Sequence, residues 1–375
     1  MLLPVKVQIK LAMADKFYVD PDIKKASTLP ASLYRDKEIF RSMGEKIFHR
    51  SWQYIDPAYL PRQHERAVAF RLLDGYLKVP LLLSRDQEDC LHCLSNVCTH
   101  RGNLLVRNRS RAKKLVCGYH GRRFAPDGSF EFMPEFMEAE DFPTACDNLP
   151  HFPLYSWGPM HFTSLNPAFE FNALIRIMEE RVGFLPLKDF KIDPDRSRTY
   201  SVKAHWALYC DNYLEGFHIP FVHKDLDTVL DYGAYDTLLF DHGSLQIGYA
   251  DAQAGSVFRL PGSHTDYGKK VAAYYFWIFP NLMFNFYPWG LSLNIVTPVG
   301  MEETRVQFVS YVYDSSQLQA GAGAGLDKVE MEDEAVVEGV QQGLQSGFYS
   351  GGRFSPTRET GVHHFHRLLA HYLNS

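Results

Sequence analysis

Two short pairs of cysteine and histidine constrain this chain more than anything else in it. They are Cys98-Thr99-His100 and Cys117-Gly118-Tyr119-His120, with sixteen residues between them. Each pair offers one thiolate and one imidazole. A [2Fe–2S] cluster needs two ligands per iron, and one cluster type takes both thiolates on one iron and both imidazoles on the other. A chain holding such a cluster must fold so that two loops meet, and it then moves electrons singly. The same four side chains could instead hold a structural zinc. Zinc protein is colourless and the cluster is red-brown, so a purified sample separates the two.

The 375 residues suffice for about two domains, each with its own core. With 39 basic against 44 acidic residues the net charge is −5, which argues against general affinity for nucleic acid or membrane. No apolar run approaches the ~18–20 residues that cross a bilayer. The opening MLLPVKVQIKLAMA is interrupted by Lys6 and Lys10 and does not read as a secretory segment; Met13 is an alternative start, and a cytoplasmic location is expected. Six cysteines in a chain this long argue against a disulfide framework, and Cys90 and Cys93, in an apolar strand-like run, read as core filler.

Residues 1–45 read as an N-terminal arm with a helical stretch around Arg35–Phe48. Residues 46–160 form a small strand-rich domain: WQYI, VAFRLL, LKVPLLLS, LHCLSNV and KLVCGYH alternate with turn signals, placing both Cys/His pairs in loops at strand ends. Residues 161–375 open with a predicted helix from His205 to Ile219. The strands AAYYFWIF, LMFNFY, LSLNIVTPV and TRVQFVSYVY follow, then a flexible connector, QAGAGAGL, at 319–326. Helices close the chain at about 330–346 and 358–373. An antiparallel sheet flanked by long helices is expected, α+β in class.

Within the predicted helix stands Glu215-x-x-His218-x-x-x-x-His223. Glu215 and His218 share a helix face, but His218 and His223 would point about 140° apart on an unbroken helix. Pro220 disfavours helical geometry at Ile219, so the helix is expected to end there and let His223 swing back. Two histidines and one carboxylate make a facial triad for Fe(II) with open positions. On the 330–346 helix the stripe Val337, Val340 and Leu344 marks the buried face, and counting back four from Val337 puts Asp333 on it, a candidate third ligand or a helix N-terminal residue favoured by the dipole. Glu330, Glu332 and Glu334 are expected to point into solvent.

CTHRG…CGYHG followed by DNYLEGFHIPFVH resembles the catalytic α subunits of the Rieske non-haem iron oxygenases. The resemblance runs from about Ser51 to the C-terminal helix and includes PNLMFNFYPWGLSLNIVTP and EDEAVVEGVQQGL, the latter similar to choline- and carnitine-monooxygenase-like members. It implies a Rieske β-sandwich domain and a helix-grip catalytic domain. By that resemblance Cys98, His100, Cys117 and His120 hold the cluster, and His218, His223 and Asp333 hold a mononuclear Fe(II). Glu215 matches the bridging acid that links His218 to His120 of a neighbouring subunit in a homotrimer. The chain departs from the family's CPYHGW pattern at Gly118 and at Arg122, where an aromatic residue gives way to charge. Its bridging acid is glutamate where aromatic-ring dioxygenases generally have aspartate.

The resemblance also implies that dioxygen and electrons act on a small organic substrate, with hydroxylation or N-dealkylation as the outcome. The electrons come ultimately from NAD(P)H through a separate reductase or ferredoxin. A quaternary ammonium substrate is one expectation and the chemistry of an aromatic-ring-hydroxylating dioxygenase the alternative; a non-enzymatic Rieske electron carrier would leave the C-terminal half without purpose. Arg101–Arg123 holds eight basic residues and no acidic one, a possible collar for an acidic redox partner. Of the aromatic residues at 274–289, most are expected in the sheet core rather than in a cage for a cation. His363, His364 and His366 read as packed histidines.

Overall fold

The computed structural model describes residues 17–223, 235–250, 256–318 and 326–375. The leader and Met13, and all but the last residue of the QAGAGAGL connector, lie outside the described residues. Six α-helices are described: α1 (Lys37–Lys46), α2 (Phe171–Val182), α3 (Trp206–Tyr213), α4 (Ile219–Val222), α5 (Leu326–Gln345) and α6 (Thr360–Asn374). No described helix is long and apolar enough to cross a membrane.

The first β unit consists of two sheets facing each other. Five strands run in the order Arg109–Ser110, Ala67–Leu72, Val79–Arg85, Leu91–Ser95, His151–Phe152, and three short ones (Leu115–Val116, Arg123–Phe124, Phe130–Phe132) form the second sheet. Ala67, Leu82, Leu94, Val106, Leu115, Phe124 and Leu149 fill the space between and bury the sulfurs of Cys98 and Cys117 with them.

The catalytic unit is built on a long antiparallel meander of strands Gly243–Tyr249, Val271–Ile278, Leu282–Tyr287, Gly290–Gly300 and Glu303–Val312. Strand side chains alternate between faces, and the register makes the two faces chemically different. One row, Leu245, Phe276, Phe284, Leu293 and Val309, is apolar and packs in one core with α2. The neighbouring row, Gln246, Tyr275, Asn285 and Ser292, is polar and points to the opposite side, where α3 and α5 cover it.

Three local expectations change. Helix α2 is absent from the sequence reading, although Phe171, Leu174, Ile175, Met178 and Val182 are buried at helical spacing. The helix expected over 205–219 is two helices, because α3 ends at Leu214, and Pro220 lies inside the first turn of α4, where its missing N–H costs nothing. On α5, Val340 is exposed, and Val337, Gln341 and Leu344 are buried. The aromatic residues behave as expected for a sheet core at Tyr274, Phe276, Phe284 and Phe286.

The N-terminal segment is tied to the C-terminal helix rather than free. His366 accepts from the Leu29 N–H through Nδ1 at 3.0 Å and contacts Asp211 through Nε2 at 3.0 Å. His363 and His364 contact the backbone carbonyls of Asp20 and Phe240. All three histidines are therefore spent on packing contacts.

Candidate metal centres

The two Cys/His loops share one construction. In each, the glycine four residues after the cysteine donates its N–H to the cysteine carbonyl: Gly102 to Cys98 at 2.9 Å and Gly121 to Cys117 at 3.0 Å. Both glycines hold left-handed φ values of 73° and 74°, a corner that β-carbons disfavour. The loops thus curl around their own cysteines and bring the His100 and His120 rings to 4.9 Å between centroids. Cys98 and Cys117 are 2% exposed, whereas His120 is at the surface. Burial pushes the Cys98 thiol up. At Cys117 burial acts the same way, but hydrogen bonds from the Tyr119 N–H and the Asn103 amide outweigh it and hold that thiol below its usual value. Two buried sulfurs beside two neighbouring imidazoles fit the two-cysteine, two-histidine donor set that a Rieske cluster would need.

Arg122 is not part of an exposed collar. It is 2% exposed, donates to the Asp147 carboxylate at 2.6 Å and lies over the rings of Phe124, Phe130 and Phe142. Within the basic run Arg109 pairs with Glu65 and Lys114 with Glu131. Among the described residues Arg101, Arg107, Arg111, Lys113 and Arg123 are exposed and have no carboxylate partner. Cys90 is exposed and Cys93 buried, its thiol pushed up to about 11 by burial; both are free.

The second centre forms where the chain breaks after α3. Glu215 accepts from the backbone N–H groups of Phe217 and His218 and so fixes the bend that leads into α4. That bend, not one helical face, sets the contact of Glu215 Oε1 with His218 Nδ1 at 2.7 Å. His223 follows at the end of α4 and meets α5, where its Nδ1 lies 2.8 Å from Glu332 Oε2. With Nδ1 of each ring committed to a carboxylate, both Nε2 atoms converge on Asp333 Oδ1, at 3.5 Å from His218 and 3.0 Å from His223. The three ligand atoms lie within 4.8 Å of one another. Divalent first-row metals bind N and O donors at about 2.1 Å, which puts adjacent donors about 3 Å apart, so these three residues fit such an ion. Asn212 Nδ2 donates to Asp333 Oδ1 at 2.7 Å and fixes it.

The sequence reading missed two carboxylates here. Glu332 and Glu330, expected in solvent, are respectively bonded to His223 and buried. Glu330 stands seven residues before Val337, two helical turns away on the same face, and that spacing was visible in the sequence. Glu334 is half-buried, and burial raises its carboxyl.

A cavity opens beside the triad. The sheet row of Gln246, Tyr275, Asn285 and Ser292 forms its floor; Tyr209, Tyr213, Tyr235, Tyr287 and Glu330 complete much of the wall. Burial pushes the Glu330 carboxyl up to about 8, opposed by the Tyr209 hydroxyl and reinforced by Asp333 and Glu334.

The chain belongs to the Rieske non-haem iron oxygenase α subunits. The Rieske [2Fe-2S] domain family matches residues 64–151, and the ring hydroxylating alpha subunit catalytic domain matches residues 191–375. Choline monooxygenase, chloroplastic, of Arabidopsis thaliana is 30% identical over 94% of this chain and 85% of its own length. The carnitine monooxygenase oxygenase subunit of Escherichia coli is 25% identical over 96% of each. The fold is shared with the quaternary ammonium Rieske monooxygenase CntA in complex with L-carnitine (TM-score 0.67, 22% identity, 94% and 97% coverage). It is shared too with naphthalene 1,2-dioxygenase from Rhodococcus sp. (TM-score 0.67, 15% identity, 92% and 94% coverage). The chain is a Rieske oxygenase, an oxidoreductase with a Rieske domain and an antiparallel α+β catalytic domain.

Proposed function

We propose that the protein is the oxygenase component of a system that hydroxylates or N-dealkylates a small quaternary ammonium compound. In this reading, Cys98 and Cys117 hold one iron of the [2Fe–2S] cluster and His100 and His120 the other, while His218, His223 and Asp333 hold a single Fe(II). The domains divide into an arm at 1–45, a Rieske domain at 46–160 and a catalytic domain at 161–375. The metal groups supply one-electron relay and the reduction of dioxygen.

The chain's own residues supply orientation. Glu215 and Glu332 fix the ring tautomers so that both Nε2 lone pairs face the ion. Tyr213 holds Asn285 at 2.7 Å and braces α3 against the sheet that forms the cavity floor. The carrying observation is that pair of Nδ1–carboxylate contacts, which leaves a two-histidine, one-carboxylate set open toward a cavity.

Glu215 lies on the path by which electrons reach His218 from His120 of a neighbouring copy in a homotrimer. The exposed bases Arg101, Arg107, Arg111, Lys113 and Arg123, none of them paired with a carboxylate among the described residues, form a docking face for an acidic reductase or ferredoxin that draws on NAD(P)H. Cluster reduction should then slow as ionic strength rises.

The direct test is NADH-driven oxygen consumption with a surrogate reductase across choline, carnitine, betaines and simple arenes, with product mass analysis. Turnover of arenes alone would reject the substrate assignment. Metal analysis should give about three irons per chain, two from the cluster and one mononuclear, and only zinc would reject the whole reading.

A further inference from the structure

The cavity wall carries one acidic side chain that neither histidine uses. Glu330 sits one helical turn before Asp333 on α5 and is 4% exposed. Its Oε2 accepts from the Tyr209 hydroxyl at 2.6 Å, which fixes the carboxyl in place. Its Oε1 is equally buried and has no hydrogen-bond partner among the described residues. A buried carboxylate with an open oxygen costs free energy until something of opposite charge or a donor reaches it.

The Glu330 side chain lines the main cavity beside the triad and also borders a smaller hollow. The described lining contributes Glu215, Glu330 and Asp333 and no lysine or arginine. Arg196 and Arg198 line the smaller hollow, which shares Ser292, Phe308 and Glu330 with the main cavity. Arg196 is stacked there over the Trp289 ring, 5.5 Å to the centroid. The main cavity is thus acidic on the α5 side and tyrosine-rich elsewhere. A neutral arene would leave the Glu330 oxygen without compensation, and a substrate carboxylate would meet like charge.

We propose that Glu330 is a specificity-determining residue, the counter-charge for the positive nitrogen of a choline-like amino-alcohol cation, and that it disfavours zwitterions carrying a carboxylate. The inference rests on the quaternary ammonium reading above and deepens it. A quaternary nitrogen has no N–H to donate, so the pairing is Coulombic: the carboxyl that burial keeps protonated in the empty cavity ionises when the cation is seated beside it, and the low dielectric of the wall strengthens the attraction. Tyr209 acts through Glu330 as a positioning residue. The placement one turn from Asp333 sets the cation beside the triad, so that a carbon attached to the nitrogen is the one presented for oxidation.

Equilibrium binding by calorimetry on the loaded holoenzyme tests this with three probes: choline, its uncharged isostere with carbon in place of nitrogen, and glycine betaine. The wild-type protein should bind choline about tenfold or more tightly than either of the others. Glu330→Gln should erase the preference for choline over the isostere and narrow that over betaine, while Glu330→Asp, which keeps the charge, should retain part of both. Circular dichroism and cluster absorbance matching wild type establish that each variant is folded. An unchanged choline-to-isostere ratio in folded Glu330→Gln overturns the proposal, as does wild-type protein that prefers betaine. Glu330-dependent choline binding without oxidation of any quaternary ammonium compound would sink the substrate reading and leave this assignment standing. Choline oxidation with an unchanged ratio in Glu330→Gln would do the reverse.

Discussion

His223 and Glu332 are joined across 109 residues of chain by a 2.8 Å contact between Nδ1 and Oε2, and that contact decides which nitrogen of the ring faces Asp333. Removing it frees the imidazole to turn or to take the other tautomer. Glu332→Ala should therefore weaken iron retention by about 10–100-fold while leaving the cluster in place. Iron content after graded chelator dialysis, read against unchanged visible absorbance, measures it; iron retention equal to wild type would show that Glu332 is only a surface partner.

Glu215 fixes its own bend with one oxygen and meets His218 with the other. Glutamine keeps an acceptor for the bend, so Glu215→Gln should fold and bind both metals yet slow turnover sharply. Coupled substrate oxidation at the wild-type rate in that variant would remove Glu215 from the electron path.

Arg122 occupies a place where an aromatic ring is the family habit. Its guanidinium is enclosed by three phenylalanine rings and the Asp147 carboxylate, and Asp147 also accepts from the Thr144 N–H at 2.7 Å. Arg122→Ala should cost about 3 kcal/mol, because it opens a cavity and unpairs a partly buried carboxylate. Arg122→Met, which refills the space, should cost less. Thermal loss of cluster absorbance reports both, and equal melting of the two variants would contradict the account.

His205 gives the fold an acid-sensitive point. Its Nδ1 accepts from the Ala207 N–H at 3.2 Å as the cap of α3, and burial pushes its imidazole down to about 3. The unfolded chain titrates at about 6.5. The folded value is the lower one, so the folded state prefers the neutral ring. The contribution is complete above about 6.5 and is lost as pH falls from there toward about 3. His205→Asn keeps a cap and does not titrate. The gap in melting temperature between wild type and this variant should narrow between neutrality and about pH 4; a constant gap would exclude His205 from the acid limb.

Much of this was legible locally. The two Cys/His pairs stood out because each sets a thiolate and an imidazole within a few residues of one another, and period-two alternation in TRVQFVSYVY marked its strand. Asp333 was reachable by counting along one helix. The break of the expected helix at Leu214 was not, because it depends on Glu215 fixing the bend that follows rather than on Pro220. Arg122 looked exposed because charge in a sequence reads as solvent, and only the rings of Phe124, Phe130 and Phe142 and the Asp147 carboxylate, gathered by the fold, reverse that.

The sequence by itself determined the α+β class and singled out the candidate donors, since side-chain periodicity and ligand chemistry are properties of a few neighbouring residues. Tertiary structure alone decided which nitrogen of each imidazole faces Asp333, and that Glu330 looks inward with one oxygen unspent. Those outcomes hinge on contacts such as Tyr209 to Glu330, 121 residues apart, and no local pattern encodes the orientation of a side chain against a partner so distant along the chain.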